Sequence, residues 1–238
     1  MSTGNNSASD RREFLKNVFA TGAVTVGISL LGTAACTGGN AMEDLPPTED
    51  LMREHGVLKR VLLIYRESLR RLHHKEDLPP DALAGSAAVI RSFIEDYHEK
   101  MEEEFLFPRF ESAQVLVDLV KELRVQHDRG RALTDVTRQL STQSAIRNDA
   151  DRRRLEQSLS LFIRMYEPHE AREDTVLFPA LRKMVSKHEL GSLGDDFEKR
   201  ERQMFGQDGF EKMVDTVGRI EQELGIYELS KFTPPEKI

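Results

Sequence analysis

The sequence predicts an all-α protein: an antiparallel, up-down four-helix bundle with additional C-terminal helices. Beyond residue 45, apolar residues recur at helical spacing, and no stretch shows the sustained apolar–polar alternation of a half-buried strand. Glycine and proline fall mainly at the boundaries of the periodic segments. The connections between segments are short, so sequential helices should run antiparallel.

Four segments carry this periodicity. The first begins at residues 46–48 and ends in a polar turn at residues 73–77, and the others span about residues 81–108, 113–140 and 150–185. Prolines at positions 168 and 179 predict that the fourth segment is interrupted or kinked. We assign residues 47–186 to the bundle and residues 187–238 to a C-terminal extension, which Gly206 and Gly209 divide into two amphipathic helices.

The N-terminal region differs from the rest of the chain. A polar start leads to Arg11 and Arg12, followed by Phe-Leu-Lys and an uncharged run over residues 18–35. This order is typical of an export signal, and the arginine pair resembles the signal of the twin-arginine translocation (Tat) pathway. We expect residues 1–35 to be removed after the Tat translocase has exported the protein to the periplasm or another extracytoplasmic location. The alternative is an uncleaved membrane anchor.

The single cysteine lies directly after this signal. Cys36 follows Gly-Thr-Ala-Ala, which looks like a bacterial lipoprotein cleavage site. We expect a lipid on Cys36 to hold the mature protein at a membrane, with residues 36–46 as a flexible tether. The alternative is ordinary cleavage after Ala35. One cysteine excludes an internal disulfide and a metal site built from several thiolates.

The net charge of the chain argues against one class of partner, nucleic acids. Arginine and lysine number 34 against 41 acidic residues, which gives a net charge of −7. Nucleic-acid binding proteins need a basic face for phosphate contacts. We therefore expect no nucleic-acid partner.

An internal duplication is the most informative feature of the sequence. The pattern His-Glu-x-x-Glu-[Glu/Asp]-x-x-Leu-Phe-Pro occurs at residues 98–108 and again at residues 169–179, an offset of 71. Upstream, Leu-x-x-x-His occurs at residues 51–55 and 123–127, an offset of 72. One helical hairpin is therefore present twice, and each copy carries a lone histidine and then His-x-x-x-Glu.

The spacing brings these side chains to one layer of the bundle. Residues four apart on a helix point in nearly the same direction, so each His-x-x-x-Glu pair faces one target. Within each hairpin the two histidines are equally far from the turn, which places them at the same height. The residues expected to converge are His55, His98, Glu102, His127, His169 and Glu173. The other three histidines, at positions 73, 74 and 188, are expected in solvent.

Such a cluster is costly inside an apolar bundle unless its charge is compensated. A pair of metal ions supplies that compensation. Nitrogen and oxygen donors without thiolate suit iron, manganese or zinc.

At these residues the chain resembles the hemerythrin-like (HHE cation-binding) family, over roughly residues 48–186. The resemblance implies a non-haem site with two iron ions, with manganese or zinc less favoured. It implies terminal histidine ligands at positions 55, 98, 127 and 169, with Glu102 and Glu173 as bridging ligands. Oxygen-carrying members place an Asp five residues after the last histidine, which is Asp174 here. Asp174 therefore remains an alternative to Glu173.

One position departs from the oxygen carriers. They have a further histidine one turn after the third-helix histidine, where this chain has Arg131. The missing imidazole predicts an open or water-filled position that binds O2, NO or peroxide, for sensing, scavenging or iron handling. The alternatives are a di-iron enzyme that reduces peroxide or NO or oxidises ferrous iron, and a non-catalytic helical lipoprotein that acts through partners.

Overall fold

The computed structural model describes residues 45–236, all of whose regular structure is helical. The predicted export signal and Cys36 lie outside the described residues. In chain order the helices are α1 (Pro47–His74), α2 (residues 80–113), α3 (Val117–Leu140), α4 (Gln143–Arg147), α5 (residues 149–184), α6 (Lys187–Phe205) and α7 (Gly209–Glu223), followed by a 3-10 turn at Leu229–Phe232. None of these helices is long and apolar enough to cross a membrane.

Helices α1, α2, α3 and α5 form the bundle. They pack in the ring α1–α2–α3–α5 around one apolar core, and short connections join them. Nine aromatic side chains of the described region are almost completely buried in the protein. The predicted fold class, a helical bundle with additional C-terminal helices, is confirmed.

Helices α2 and α5 widen into π turns at the repeated motif. The π segments that end both motifs are Glu102–Leu106 and Glu173–Leu177. In each, the N–H of the following phenylalanine bonds to the carbonyl five residues back, at Glu102 or Glu173. A proline comes next, which has no N–H and crowds the carbonyl four residues back in a regular helix. The wide turn accommodates each proline, and such turns are frequent at functional sites.

The structure differs from the predicted segments at two prolines. Helix α2 does not end at Pro108 but continues to Ala113. Pro168 lies inside the α-helical stretch Asp149–Arg172, so the helix is not interrupted there. The irregularity of α5 begins at Glu173 instead, just before Pro179.

The C-terminal extension packs on the first hairpin. Phe205 of α6 contacts the ring of Tyr97 on α2 edge-on at 5.5 Å. Arg60 of α1 makes a two-pronged ion pair with Glu221 of α7, with distances of 3.0 and 2.6 Å. The chain reverses at Gly206, whose φ of 75° favours glycine. The predicted pair of extension helices is confirmed.

Candidate metal centre

Two buried carboxylates lie at the centre of the bundle, each between histidines from both copies of the repeat. Glu173 places Oε2 3.3 Å from Nε2 of His55 and Oε1 3.2 Å from Nε2 of His169. Glu102 places Oε1 3.8 Å from Nε2 of His98 and Oε2 3.5 Å from Nε2 of His127. All six converging residues predicted from the sequence therefore meet in one place.

The six residues form two overlapping groups of four. We call His55, His98, Glu102 and Glu173 pocket A, and His127, His169, Glu102 and Glu173 pocket B. Within each pocket the potential ligand atoms all lie within 4.8 Å of one another. The two glutamates belong to both pockets, so each carboxylate has one oxygen for either side.

The shared carboxylates lack ordinary partners. Glu102 and Glu173 are 0% and 1% exposed, and none of their four oxygens makes a hydrogen bond within the described part of the chain. Burial raises the pKa of Glu102 well above its ordinary value. Burial acts in the same direction on Glu173, but the imidazoles of His169 and His55 outweigh it and hold its pKa well below the ordinary value. Buried acceptors without donors are costly, and a cation between them compensates that cost.

Nδ1 of each imidazole, the ring nitrogen that points away from the pockets, makes a hydrogen bond that orients the ring. The four contacts join His55 to Asp174 (2.7 Å), His98 to Glu54 (2.7 Å), His127 to Glu103 (3.0 Å) and His169 to Gln126 (2.8 Å). Every acceptor is an oxygen atom, so Nδ1 carries a proton in each imidazole and Nε2 faces the pockets. Such an arrangement fixes the tautomer and raises the basicity of a metal-binding imidazole.

Burial and these contacts also set the protonation of the imidazoles. Burial lowers the pKa of His98 well below its ordinary value and that of His127 to about 4, so both are neutral at pH 7. Burial acts to lower the pKa of His55 too, but Asp174 and Glu173 outweigh it and raise this pKa to about 9. His55 is therefore an imidazolium between two carboxylates when no metal ion replaces its proton.

Comparison with known proteins agrees with this geometry. The hemerythrin HHE cation binding domain family matches residues 47–150 and again residues 118–207, which covers all of the described bundle. The chain belongs to the hemerythrin HHE cation binding domain family. The two buried His/Glu clusters are accordingly the metal-ion site of a hemerythrin-type domain.

Relatives extend the similarity to nearly the whole chain. An uncharacterized protein of Mycobacterium bovis and one of Mycobacterium tuberculosis are each 46% identical over 231 residues, which is 94% of this chain and 91% of theirs. No solved structure gives a significant match.

The choice between Glu173 and Asp174, which the sequence leaves open, has a geometric answer in this hemerythrin-type domain. Glu173 lies in both pockets, whereas Asp174 lies behind His55 and faces away from them. The motif thus gives adjacent carboxylates different positions, one inside the pockets and one behind an imidazole of the other copy.

The Leu-Phe-Pro end of the motif also serves the site. Phe107 stacks on His127, with ring centroids 5.5 Å apart, and Phe178 stacks on His55 at 5.7 Å. Each phenylalanine covers the lone histidine of the opposite copy. These rings shield the imidazoles from water and hold their planes.

The position that carries an extra histidine in oxygen carriers holds an ion pair here. Arg131 contacts Oε2 of Glu99 at 2.8 Å and Oε1 of Glu103 at 2.7 Å. Its counterpart in the first copy is Lys59, whose Nζ lies 3.7 Å from Oε1 of Glu170. Both positions therefore carry a basic side chain that faces a buried or half-buried carboxylate. Glu99, Glu103 and His127 form a third group close enough to hold a metal ion. In this group the guanidinium of Arg131 already provides the positive charge that the two carboxylates need.

Sequence reasoning missed several residues around the site. Glu54 and Gln126 precede the lone histidines directly, and this repeated position was the available signal. The hydroxyl of Tyr166 donates a hydrogen bond to Glu99 at 2.6 Å. Burial, followed by the nearby carboxylate of Glu201 in the extension, raises the pKa of Glu54 to about 8. The histidines expected in solvent, at positions 73, 74 and 188, are indeed exposed.

Proposed function

We propose that this chain is an exported non-haem di-iron protein that binds O2, NO or peroxide. One iron ion would lie in pocket A and one in pocket B, with Glu102 and Glu173 bridging them. The observation that carries the proposal is the sharing of these two carboxylates, because bridging glutamates are how helical bundles hold two ions a few Å apart.

The donor set supports iron over softer metals. Imidazole nitrogen and carboxylate oxygen suit iron, manganese and zinc, and the family resemblance favours iron among them. The neutral imidazoles of His98 and His127 are ready to donate the lone pair of Nε2. The unpartnered oxygens of the shared glutamates supply the negative charge that two cations need.

The protein's own residues would control access and orientation. Bound iron supplies a redox-active centre for a small diatomic or peroxide ligand. Phe107 and Phe178 exclude water from the imidazole faces, and the acceptors behind each Nδ1 keep every Nε2 aimed inward. Sensing, scavenging and iron handling all fit such a site.

A redox enzyme that reduces peroxide or NO is the second candidate. The observation that favours it is Tyr166, a buried and oxidisable side chain whose ring lies 5.3 Å from that of His169. Stopped-flow mixing of the ferrous protein with peroxide or NO, in the presence of excess chemical reductant that returns the iron to the ferrous state, separates the candidates. Multiple turnovers support the enzyme, and a stable adduct without turnover contradicts it.

The location of the protein is a proposal from its N-terminal sequence. Arg11, Arg12 and the uncharged run support Tat export, and Cys36 supports attachment of a lipid. Because the Tat pathway carries folded proteins, iron could be inserted before export. Anchoring by lipid would place the bundle at the outer face of the cytoplasmic membrane.

Iron loading tests the central proposal. Anaerobic loading followed by desalting and metal analysis should give about two iron ions per chain, as expected for a shared-carboxylate site. His98→Ala should lower that ratio, whereas His74→Ala, at an exposed histidine of the same hairpin, should leave it unchanged. A wild-type ratio below about one ion per chain would argue against a di-iron centre.

A further inference from the structure

The residues that contact Nδ1 of the four imidazoles occupy equivalent positions in the two copies of the repeat. In one of the two equivalent pairs, the residues differ in charge. Glu103 and Asp174 are equivalent at the offset of 71, and each holds the lone histidine of the opposite copy. Glu54 and Gln126 are equivalent at the offset of 72, and each holds the histidine of the His-x-x-x-Glu pair in its own copy. The first pair conserves a carboxylate between copies, whereas the second exchanges a carboxylate for an amide.

This exchange makes the surroundings of the two pockets unequal. The imidazoles of pocket A are backed by the carboxylates of Asp174 and Glu54. Those of pocket B are backed by the carboxylate of Glu103 and the neutral amide of Gln126.

The remaining charges increase the difference. Glu103 is also paired with Arg131 at 2.7 Å and with Lys100 at 2.5 Å, which offset its negative charge. In the first copy of the repeat, the equivalent of Arg131 is Lys59. Its side chain is 55% exposed, and its Nζ lies 3.7 Å from Oε1 of Glu170. Glu99 also lies near pocket B, with Oε2 4.0 Å from Nδ1 of His127, but Arg131 pairs with it at 2.8 Å. Because Arg131 and Lys100 offset the charges of Glu99 and Glu103, pocket B lies in a less negative environment than pocket A.

The C-terminal extension makes its main contacts with the first hairpin, which carries both histidines of pocket A. Helix α6 places Phe205 on Tyr97, the neighbour of His98, and the buried Glu201 lies close to Glu54. The extension therefore adds a buried carboxyl group, that of Glu201, on the side of pocket A.

We propose that the two pockets differ in affinity: pocket A binds the first divalent cation and retains it, and pocket B binds a second, exchangeable ion. This inference rests on the proposed two-metal function. Its physical basis is that a carboxylate behind an imidazole makes the imidazole a stronger metal ligand than an amide does.

Titration with cobalt tests the difference. Co²⁺ added anaerobically to the metal-free protein, with a competing chelator and visible absorption as the readout, should bind in two steps at least about tenfold apart in Kd. Glu54→Gln should weaken the tighter step by roughly 10- to 100-fold, and Gln126→Glu should strengthen the weaker step. Both changes keep the size of the side chain. Glu122→Gln, at an exposed position of α3, is the matched control and should change neither step.

Deleting one imidazole from each pocket assigns the steps. His169→Ala should retain the tighter step, and His98→Ala should retain only the weaker one. A tight step that survives His98→Ala overturns the assignment. Equal wild-type affinities that do not respond to Gln126→Glu overturn the inference but leave a two-metal site intact. Absence of any Co²⁺ binding overturns the two-metal function itself.

Discussion

Asp174 accepts a hydrogen bond from Nδ1 of His55 over 2.7 Å, although the two residues belong to opposite copies of the internal repeat. Glu103 and His127 form the reciprocal contact at 3.0 Å. Each hairpin therefore orients the lone imidazole of the other. The complete site forms only when both hairpins pack together, so metal binding and bundle assembly should be coupled.

Adjacent carboxylates of the motif should have separable effects on metal binding. Glu173→Gln replaces one of the two inward-facing oxygens with an NH2 group and removes the charge that both pockets share, so it should abolish tight binding of a second ion. Asp174→Asn leaves both pockets complete and should weaken affinity by about 10- to 100-fold while a stoichiometry of two is kept at saturation. Metal analysis together with chelator competition measures both quantities. The opposite ranking would place Asp174 in the centre.

Neutralising a shared glutamate should stabilise the metal-free protein. Burial raises the pKa of Glu102, so folding without metal carries the cost of burying its charge or of protonating it. Glu102→Gln is neutral without that cost and should raise the free energy of unfolding without metal by on the order of 1 kcal/mol or more. Wild type should gain about 2.7 kcal/mol from metal at 100 times its Kd, and the variant should gain less. Urea unfolding with and without a chelator compares them. A variant that is less stable in both states would contradict this account.

Metal uptake should release protons at pH 7. The pKa of His55 is raised to about 9, so at pH 7 it holds a proton that a cation must displace. Burial raises the pKa of Glu102 as well, which acts in the same direction. Apparent affinity should therefore rise as the pH increases from 7 towards 9, and the His55 contribution should vanish above that range. An indicator dye in weak buffer measures the release. Asp174→Asn removes one cause of the raised His55 pKa and should reduce it.

A glycine on α3 makes room for a buried tyrosine. A Cβ at Gly130 would lie 2.0 Å from the hydroxyl oxygen of Tyr166. Gly130→Ala should displace that ring from Glu99 and cost about 1–3 kcal/mol of stability by overpacking. Gly191→Ala, where a Cβ meets nothing within 4 Å, is the control and should be neutral or stabilising. Denaturant unfolding measures both, and Tyr166→Leu should relieve part of the loss at Gly130.

Export should depend on the arginine pair. Replacing Arg11 and Arg12 with lysine should retain the full-length protein in the cytoplasm, because the Tat signal requires the arginines. Cys36→Ser should permit export but release the protein from the membrane fraction. Cell fractionation and immunoblotting measure both outcomes. Export that is unaffected by the double lysine change would contradict the Tat assignment.

The sequence could predict the fold and the convergence of the cluster because both follow from local rules. Helical periodicity gave the four helices, and equal distance from the turn placed His55 level with His98, whose Nε2 atoms lie 3.0 Å apart. The same reasoning failed at Pro108, where a π turn lets α2 continue. Proline was treated as a helix end, but the widened turn removes the clash that makes it one.

The partners of each imidazole could not be predicted in the same way. Glu54, Gln126 and Glu201 have no metal-ligand spacing, and their roles depend on which helix faces them. The sequence of the extension has no metal-ligand spacing either, yet its folding brings Glu201 close to Glu54, the residue behind His98.

The sequence by itself determined which side chains meet, because helix geometry and an internal repeat fix their direction and height. Only the tertiary structure decided that Asp174 lies behind the imidazole of His55, because that contact depends on how α5 packs against α1. The tertiary structure also decided which groups contact Nδ1 of the imidazoles. These are two carboxyl groups in pocket A, and one carboxyl group and one amide in pocket B. Those contacts join residues on different helices, so they depend on how the helices pack and not on the spacing of residues along the sequence.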